Sequence, residues 1–426
     1  MVNNQKQPNT GISRRRVIKA AGALAGAAAM GVDALWAPRA SAAPKPILTT
    51  LISVSSPAYC STIKGTTTIA IVAPGVKSVV VNCWKQGPGF GRDSTVGHLS
   101  LNAHGEGSVV FHADEYPHGP ITVRIVGFND DKQVVDRCDL QLYNAGGIKW
   151  MQGLPEEAPP QTQGMTVVFA DDFKRMPSIS STDMSATYYD HKPPNGSQDF
   201  SYIPFTGFHS PRNPFFQEDT WLRIRADERK HSTGLLSSMK NNGSGIMAKA
   251  PCYFECRFIG PNAIGTWPAF WILSDYMTEY LKTKRLDMPV DELDIIEAYG
   301  GNGRGEPNSY DLYRATPHAW NQGAKGAVIN REVVSECHDP ISMKKFGIPS
   351  TWYQASHIYG CKITETITTF YCDNIAVASF KTMPVSQREP FFFLINLATG
   401  GGWRTDLSRY GGKADMYVDY VRVWHG

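Results

Sequence analysis

The segment Asp291-Glu292-Leu293-Asp294-Ile295-Ile296-Glu297-Ala298-Tyr299-Gly300 constrains the chain more than any other, because its acids alternate with residues that belong in a core. A β-strand sends successive side chains to opposite faces. Glu292 and Asp294 therefore share one face and Leu293 and Ile295 the other, while Glu297 would fall on the wrong side of a regular strand. One extra residue corrects the phase. A β-bulge at Ile295-Ile296 sets two residues opposite one on the partner strand and returns Glu297 to the face of Glu292 and Asp294.

Three carboxyl groups on one face repel one another unless one of them holds a proton. An acidic solvent-facing edge and a calcium site are the other uses of such a strand. The interleaved Leu and Ile speak against the edge, since they bury the opposite face. Calcium sites draw on Asn- or carbonyl-bearing loops with a Gly turn, which this segment lacks. Across the four strand steps the outer Cα atoms lie about 13 Å apart. Long Glu side chains leaning inward could bring their carboxyls to about 5–5.5 Å, the spacing of a nucleophile and a general acid in retaining glycoside hydrolysis.

The rest of the chain reads as strands. Short alternating runs at Thr67–Val72, Ser78–Asn82, Gly107–Phe111 and Ile121–Val126 predict a small β-sandwich over residues 47–147. Its final hairpin, turning at Asn129-Asp130-Asp131, resembles that of bacterial immunoglobulin-like modules. The Pro-rich stretch within 148–163 predicts a stiff linker. Residues 164–426 then carry long runs such as Tyr253–Phe258, Thr366–Tyr371, Phe391–Asn396 and Met416–Trp424. That length of strands fits two stacked antiparallel sheets, a jelly-roll, concanavalin-like sandwich with a face curved enough to hold a long ligand. A single short helix is expected near Tyr276–Lys284. The chain is thus expected to be all-β, with two domains.

Residues 1–42 read as an address. Ser13-Arg14-Arg15-Arg16 precedes a short Ala/Gly-rich apolar run and then Ala40-Ser41-Ala42, the pattern of a twin-arginine signal peptide. The run is broken by Asp33 and Pro38, which favours a cleaved leader over a membrane anchor. Export by that translocon would deliver a folded protein to the periplasm or the outside, with no membrane contact once the leader is gone. The leader also explains the charge. The chain has 42 Lys plus Arg against 39 Asp plus Glu, but beyond residue 42 the counts are 36 and 38, so no basic surface for nucleic acid is expected. Eight cysteines form no CxxC pair and no His stands at zinc-finger spacing, which speaks against a structural zinc site; Cys60 or Cys83 could pair with Cys138.

The acidic strand resembles the bulged ExDxxE signature of glycoside hydrolase family 16, which includes laminarinases, agarases and carrageenases. Phe169–Phe173, Tyr253–Arg257, Gly265–Leu273, Asn396–Ala398 and Val418–Val423 resemble the same family in the same order, so the likeness spans the second domain. It implies Glu292 as nucleophile, Glu297 as general acid/base and Asp294 as the residue that tunes the nucleophile. It implies no required cofactor, with a structural calcium near Asp419 as an option. For sugar contacts it points to Trp267, with Trp271, His318, Tyr299, Trp403 and Arg225 as further candidates. Trp403 stands in Gly400-Gly401-Gly402-Trp403-Arg404, where laminarinases usually show Gly-Gly-x-Trp-Pro-Gly. Secreted endo-hydrolysis of β-1,3-glucan by a monomer is the leading expectation. An endo-galactanase of the agarase or carrageenase type and a non-catalytic carbohydrate-binding protein are the alternatives.

Overall fold

The computed structural model describes residues 51–87, 90–195, 200–285, 288–301, 311–322, 328–332 and 340–426. The signal-like leader, Cys337 and the turn residues Asn302-Gly303 lie outside the described residues. Strands from Ser53 to Asn144 build two sheets, one ordered Ser53–Ser56, Thr66–Val72, Glu106–His112 and the other Thr62–Ile63, Val134–Asn144, Gly119–Phe128, Ser78–Gly87, Phe90–Ser100. Ile69, Ile71, Val79, Val81, Phe111, Val123, Ile125 and Leu140 fill the space between them. The alternation that predicted four of these strands is the alternation that fills this core. The Phe90–Ser100 strand, with four polar or charged residues at Arg92–Thr95, gave no such signal.

Strands from Thr166 onward build a second, larger sandwich. Its six-stranded sheet runs Leu235–Ser237, Phe391–Thr399, Thr266–Ser274, Val290–Ala298, Tyr313–Gln322, Val328–Glu332. The facing eight-stranded sheet is organised by Lys413–His425, which pairs with Trp221–Asp227, Thr166–Asp171 and Cys252–Ile259. Phe254, Phe258, Tyr359 and Phe370 of that sheet meet Phe270, Ile272, Leu293 and Phe393 of the other in one continuous core. At roughly 1.5–3 kcal/mol for each large apolar side chain fully removed from water, this layer holds the sheets in register. The jelly-roll expectation is met. The expected helix is Met277–Thr283, its first turn fixed by Asp275, whose carboxylate accepts the N–H groups of Met277 (2.9 Å) and Thr278 (3.1 Å). No helix among the described residues is long and apolar enough to cross a membrane.

Charged and polar side chains join the two sandwiches. Asp139 accepts hydrogen bonds from Asn262 Nδ2 (2.7 Å) and Arg124 Nε (3.3 Å) and forms an ion pair with Arg137, whose Nε lies at 3.4 Å. Gln141 exchanges two hydrogen bonds with the Asp415 backbone, and Arg409 grips the Asp136 carboxylate.

Three expectations are corrected here. Cys60, Cys83 and Cys138 carry free thiols. Cys83 and Cys138 sit on strands separated by Gly119–Phe128, so two strand spacings, about 9.5 Å, lie between them, beyond the reach of a disulfide. Arg225 lies on the eight-stranded sheet and is bound at 2.7 Å by both oxygens of Asp415, away from the acidic strand. Asp419 does not fit a calcium ion: its carboxylate accepts the Gly153 N–H at 2.9 and 3.1 Å and faces the Arg257 guanidinium at 3.3 Å, so donors already stand where a cation would bind.

Candidate active site

The strand Val290–Ala298 lies in the middle of the six-stranded sheet, and its pairing shows the extra residue. On one side Asp294 pairs with Thr316 and Glu297 with Arg314, three steps against two; on the other, Trp271 pairs with Asp294 and Phe270 with Ile296, one step against two. Both Ile295 and Ile296 consequently reach the core, with 1 % and 0 % exposure. Glu297 returns to the outer face. Glu292, Asp294 and Glu297 line one cavity with Trp267, Ala269, Trp271, Asn396 and Phe200. The carboxyls expose only 7 %, 3 % and 5 % of their surface, so their charges interact with little screening by water.

Each acid has its own set of partners. Glu292 accepts the indole N–H of Trp320 at 3.2 Å. Asp294 faces His318 Nε2 at 3.1 Å. Glu297 Oε1 accepts both Trp267 Nε1 at 3.1 Å and the Tyr299 hydroxyl at 3.0 Å. Burial, and then the Asp294 charge, push Glu297 up to about 8. Burial, and then the Glu292 charge, hold Asp294 above the usual carboxylate range. Burial would lower His318, but its bond to Asp294 and the three surrounding acids outweigh that and raise it to about 10. At neutral pH the cluster therefore holds an imidazolium beside Asp294 and a proton on Glu297. With Oε1 of Glu297 already taken by two donors, that proton belongs on Oε2.

The structure brings together every sugar-contact candidate except Arg225. Trp267 stacks on Tyr299 (centroids 5.5 Å, 25° between planes), and Tyr299 meets Trp403 at 4.8 Å. Trp271 lines the carboxyl cavity and anchors its Nε1 on Asn396 Oδ1 at 2.7 Å. Phe270, one residue away, points into the core. Sequence reasoning missed Asn396, Phe200 and Trp320 as site residues. Strand alternation carries a signal for two of these. Trp320 is two residues from His318 and so shares its face, and Asn396 is the polar residue on the face opposite Ile395 and Leu397. Phe200 comes from a loop and meets Trp267 and Trp271 edge-on at 5.5 and 5.9 Å, which no local pattern announces.

Glu292, Asp294 and His318 also place potential ligand atoms within 4.8 Å of one another. A protonated imidazole has no lone pair for a metal, so the charge state of His318 opposes that use.

No family model matches the chain. It is 28 % identical over 218 residues to the endo-1,3-1,4-beta-glycanase EglC of Rhizobium meliloti, covering 50 % of this chain and 40 % of EglC. It is 25 % identical over 241 residues to the endo-1,3-1,4-beta-glycanase ExsH of the same organism, covering 54 % and 43 %. The chain thus spans less than half the length of these relatives. Among solved structures, the catalytic domain of an endo-1,3-beta-glucanase (laminarinase) from Thermotoga petrophila aligns at a TM-score of 0.41 and 17 % identity, covering 61 % of this chain and 97 % of that one. The laminarinase from Flavobacterium sp. aligns at 0.41 and 19 %, covering 61 % and 100 %. Over about half its residues, the chain is similar in sequence to endo-β-glycanases.

Proposed function

We propose that the chain is a retaining endo-β-glycanase that cleaves β-1,3-glucan by double displacement. The observation that carries this reading is the bulge that returns Glu297 to the face of Glu292 and Asp294, where burial keeps it protonated. Glu297 gives its proton to the glycosidic oxygen while Glu292, oriented by the Trp320 indole, attacks the anomeric carbon. The leaving chain departs and a glycosyl-Glu292 ester remains. Glu297, now a carboxylate, takes a proton from water, which displaces Glu292 and regenerates the enzyme. His318 holds Asp294 as its counter-ion, so Asp294 stands as a fixed charge and acceptor between the two glutamates. The acid, base and nucleophile are all side chains, so the reaction calls for no metal or organic cofactor.

Trp267, Tyr299 and Trp403 form a continuous aromatic wall beginning at Glu297, suited to the C–H faces of pyranoses. We assign the N-terminal sandwich an accessory, immunoglobulin-like role. The leader is assigned to the twin-arginine pathway, with the mature protein acting as a monomer in the periplasm or outside the cell. The test is reducing-sugar release from laminarin, mixed-linkage β-glucan, agarose and carrageenan, with Glu292→Gln in parallel. Release from β-1,3-glucan that vanishes in the variant is the expected result. Release from agarose or carrageenan alone would move the assignment to the galactanases, and binding without release by either protein would replace it with a lectin-like function.

A further inference from the structure

A second constellation lies on the opposite, eight-stranded side of the larger sandwich. Ser350 Oγ is 3.0 Å from His357 Nε2, and His357 Nδ1 is 2.7 Å from Asp373 Oδ2. The other Asp373 oxygen accepts the Ile358 N–H at 2.9 Å, which locks the carboxylate in place. Ser350 and His357 are 3 % and 4 % exposed, so the pair is shielded from bulk water. All three residues line a cavity of about 330 Å³ between the two sandwiches, together with Trp84 and Trp150. The size suits a small ligand, and interfaces between domains are where such sites concentrate.

We propose that Ser350, His357 and Asp373 form a second active site, a serine hydrolase that removes acyl groups from O-acylated saccharides entering this cavity. The polarity of the hydrogen-bond chain is the one the chemistry needs: the nucleophile at Nε2 of the base and the carboxylate at Nδ1. Burial alone would raise Asp373, but its charge and hydrogen-bond interactions with His357 keep it below the usual carboxylate range. With Asp373 accepting from Nδ1–H, the Nε2 of His357 is the nitrogen that faces the Ser350 hydroxyl. Gln354 supplies the remaining element. Its Oε1 accepts Thr351 N–H (3.0 Å) and Thr351 Oγ1–H (3.1 Å), next to the nucleophile. The amide so fixed lines the same cavity, and its Nε2 is the candidate donor for an oxyanion.

Ser350 Oγ attacks the ester carbonyl as its proton passes to His357 Nε2. Collapse of the tetrahedral intermediate breaks the C–O bond, and the departing sugar hydroxyl takes that proton. Water then attacks acyl-Ser350, losing a proton to His357, and the carboxylic acid leaves with Ser350 restored. Ester and water give acid and alcohol, with no further reactant. Cys372 also approaches His357 and Asp373 within 4.8 Å, a spacing a metal could use, but both imidazole nitrogens are already engaged. The indole walls of Trp84 and Trp150 are the feature that selects a saccharide ester over a simple one.

This inference is independent of the glucanase reading. Full-length protein is treated with a fluorophosphonate probe, digested and mapped by mass spectrometry, and assayed for acetate release from 4-nitrophenyl acetate and from acetylated cello-oligosaccharides. Label on the peptide bearing Ser350 is expected in the wild-type and Glu297→Gln proteins alike. Ser350→Ala is expected to lose label and acetate release while glucan hydrolysis persists, and His357→Gln to slow acetate release about 10²–10⁴-fold. Activity unchanged by EDTA is expected. Absence of label at Ser350 in folded wild-type protein would overturn the proposal even if every variant fails to fold. So would acetate release retained by Ser350→Ala or abolished by EDTA.

Discussion

Two buried charge clusters in this molecule are built from similar residues and behave in opposite ways. At the junction of the sandwiches, Asp139 is buried between Arg124 and Arg137 and bonded to Asn262; burial alone would raise it, but the two cations and that hydrogen bond bring it below the usual carboxylate range. In the cleft, three buried acids crowd around His318, and Glu297 is driven up instead. Compensated charge fastens the scaffold, whereas charge left under-compensated stores a proton for use. The two clusters also pull stability in opposite directions with pH. Asp139, depressed in the folded state, contributes stability that is present above its unfolded value and is lost as pH falls through its folded one. Glu297, raised in the folded state, is uncharged on both sides of folding at low pH and costs stability as pH climbs from about 4.5 to about 8.

The comparison is broken most severely by removing the stored proton. Glu297→Gln is expected to slow kcat for β-glucan hydrolysis by about 10²–10⁴-fold, the usual contribution of a general acid, with the fold intact by circular dichroism. The scaffold cluster should respond the other way. Asp139→Ala removes the carboxylate that Arg124 and Arg137 share and should cost about 3–5 kcal/mol in urea unfolding while kcat/KM of the folded protein hardly changes. The comparison is sharpened by a smaller effect of opposite sign. Glu297→Gln should be more stable than wild type at pH 8, and the gain should shrink to nothing near pH 4, where Glu297 is protonated in both folded and unfolded chains; parallel urea titrations at the two pH values measure it.

How much of this was legible in the sequence depends on how far apart the partners lie. The bulge at Ile295-Ile296 could be read because the phase error between Asp294 and Glu297 is contained in four residues. The same short-range alternation puts Trp267 and Trp271, four residues apart on one strand, on a shared face. The charge partners could not be read so. Arg225 was a candidate sugar contact, yet its partner Asp415 is 190 residues away, and only the pairing of Trp221–Asp227 with Lys413–His425 brings them together. The thiols fail for the same reason. Cys83 and Cys138 share one sandwich, but an intervening strand separates them. Phe200 enters the cleft from a loop, where no period exists to place a side chain, and Asp419 is claimed by Arg257 and Gly153 rather than left for a cation.

The central claim is that Glu297 carries a proton into the cleft at neutral pH and gives it to the glycosidic oxygen. The pH dependence of kcat/KM for laminari-oligosaccharide hydrolysis by the wild-type protein addresses it most directly. A rate that falls as pH rises through about 8 is predicted, because deprotonation of Glu297 in the free enzyme removes the acid. A rate that stays flat through pH 9, or a falling limb that persists unchanged in Glu297→Gln, would contradict it.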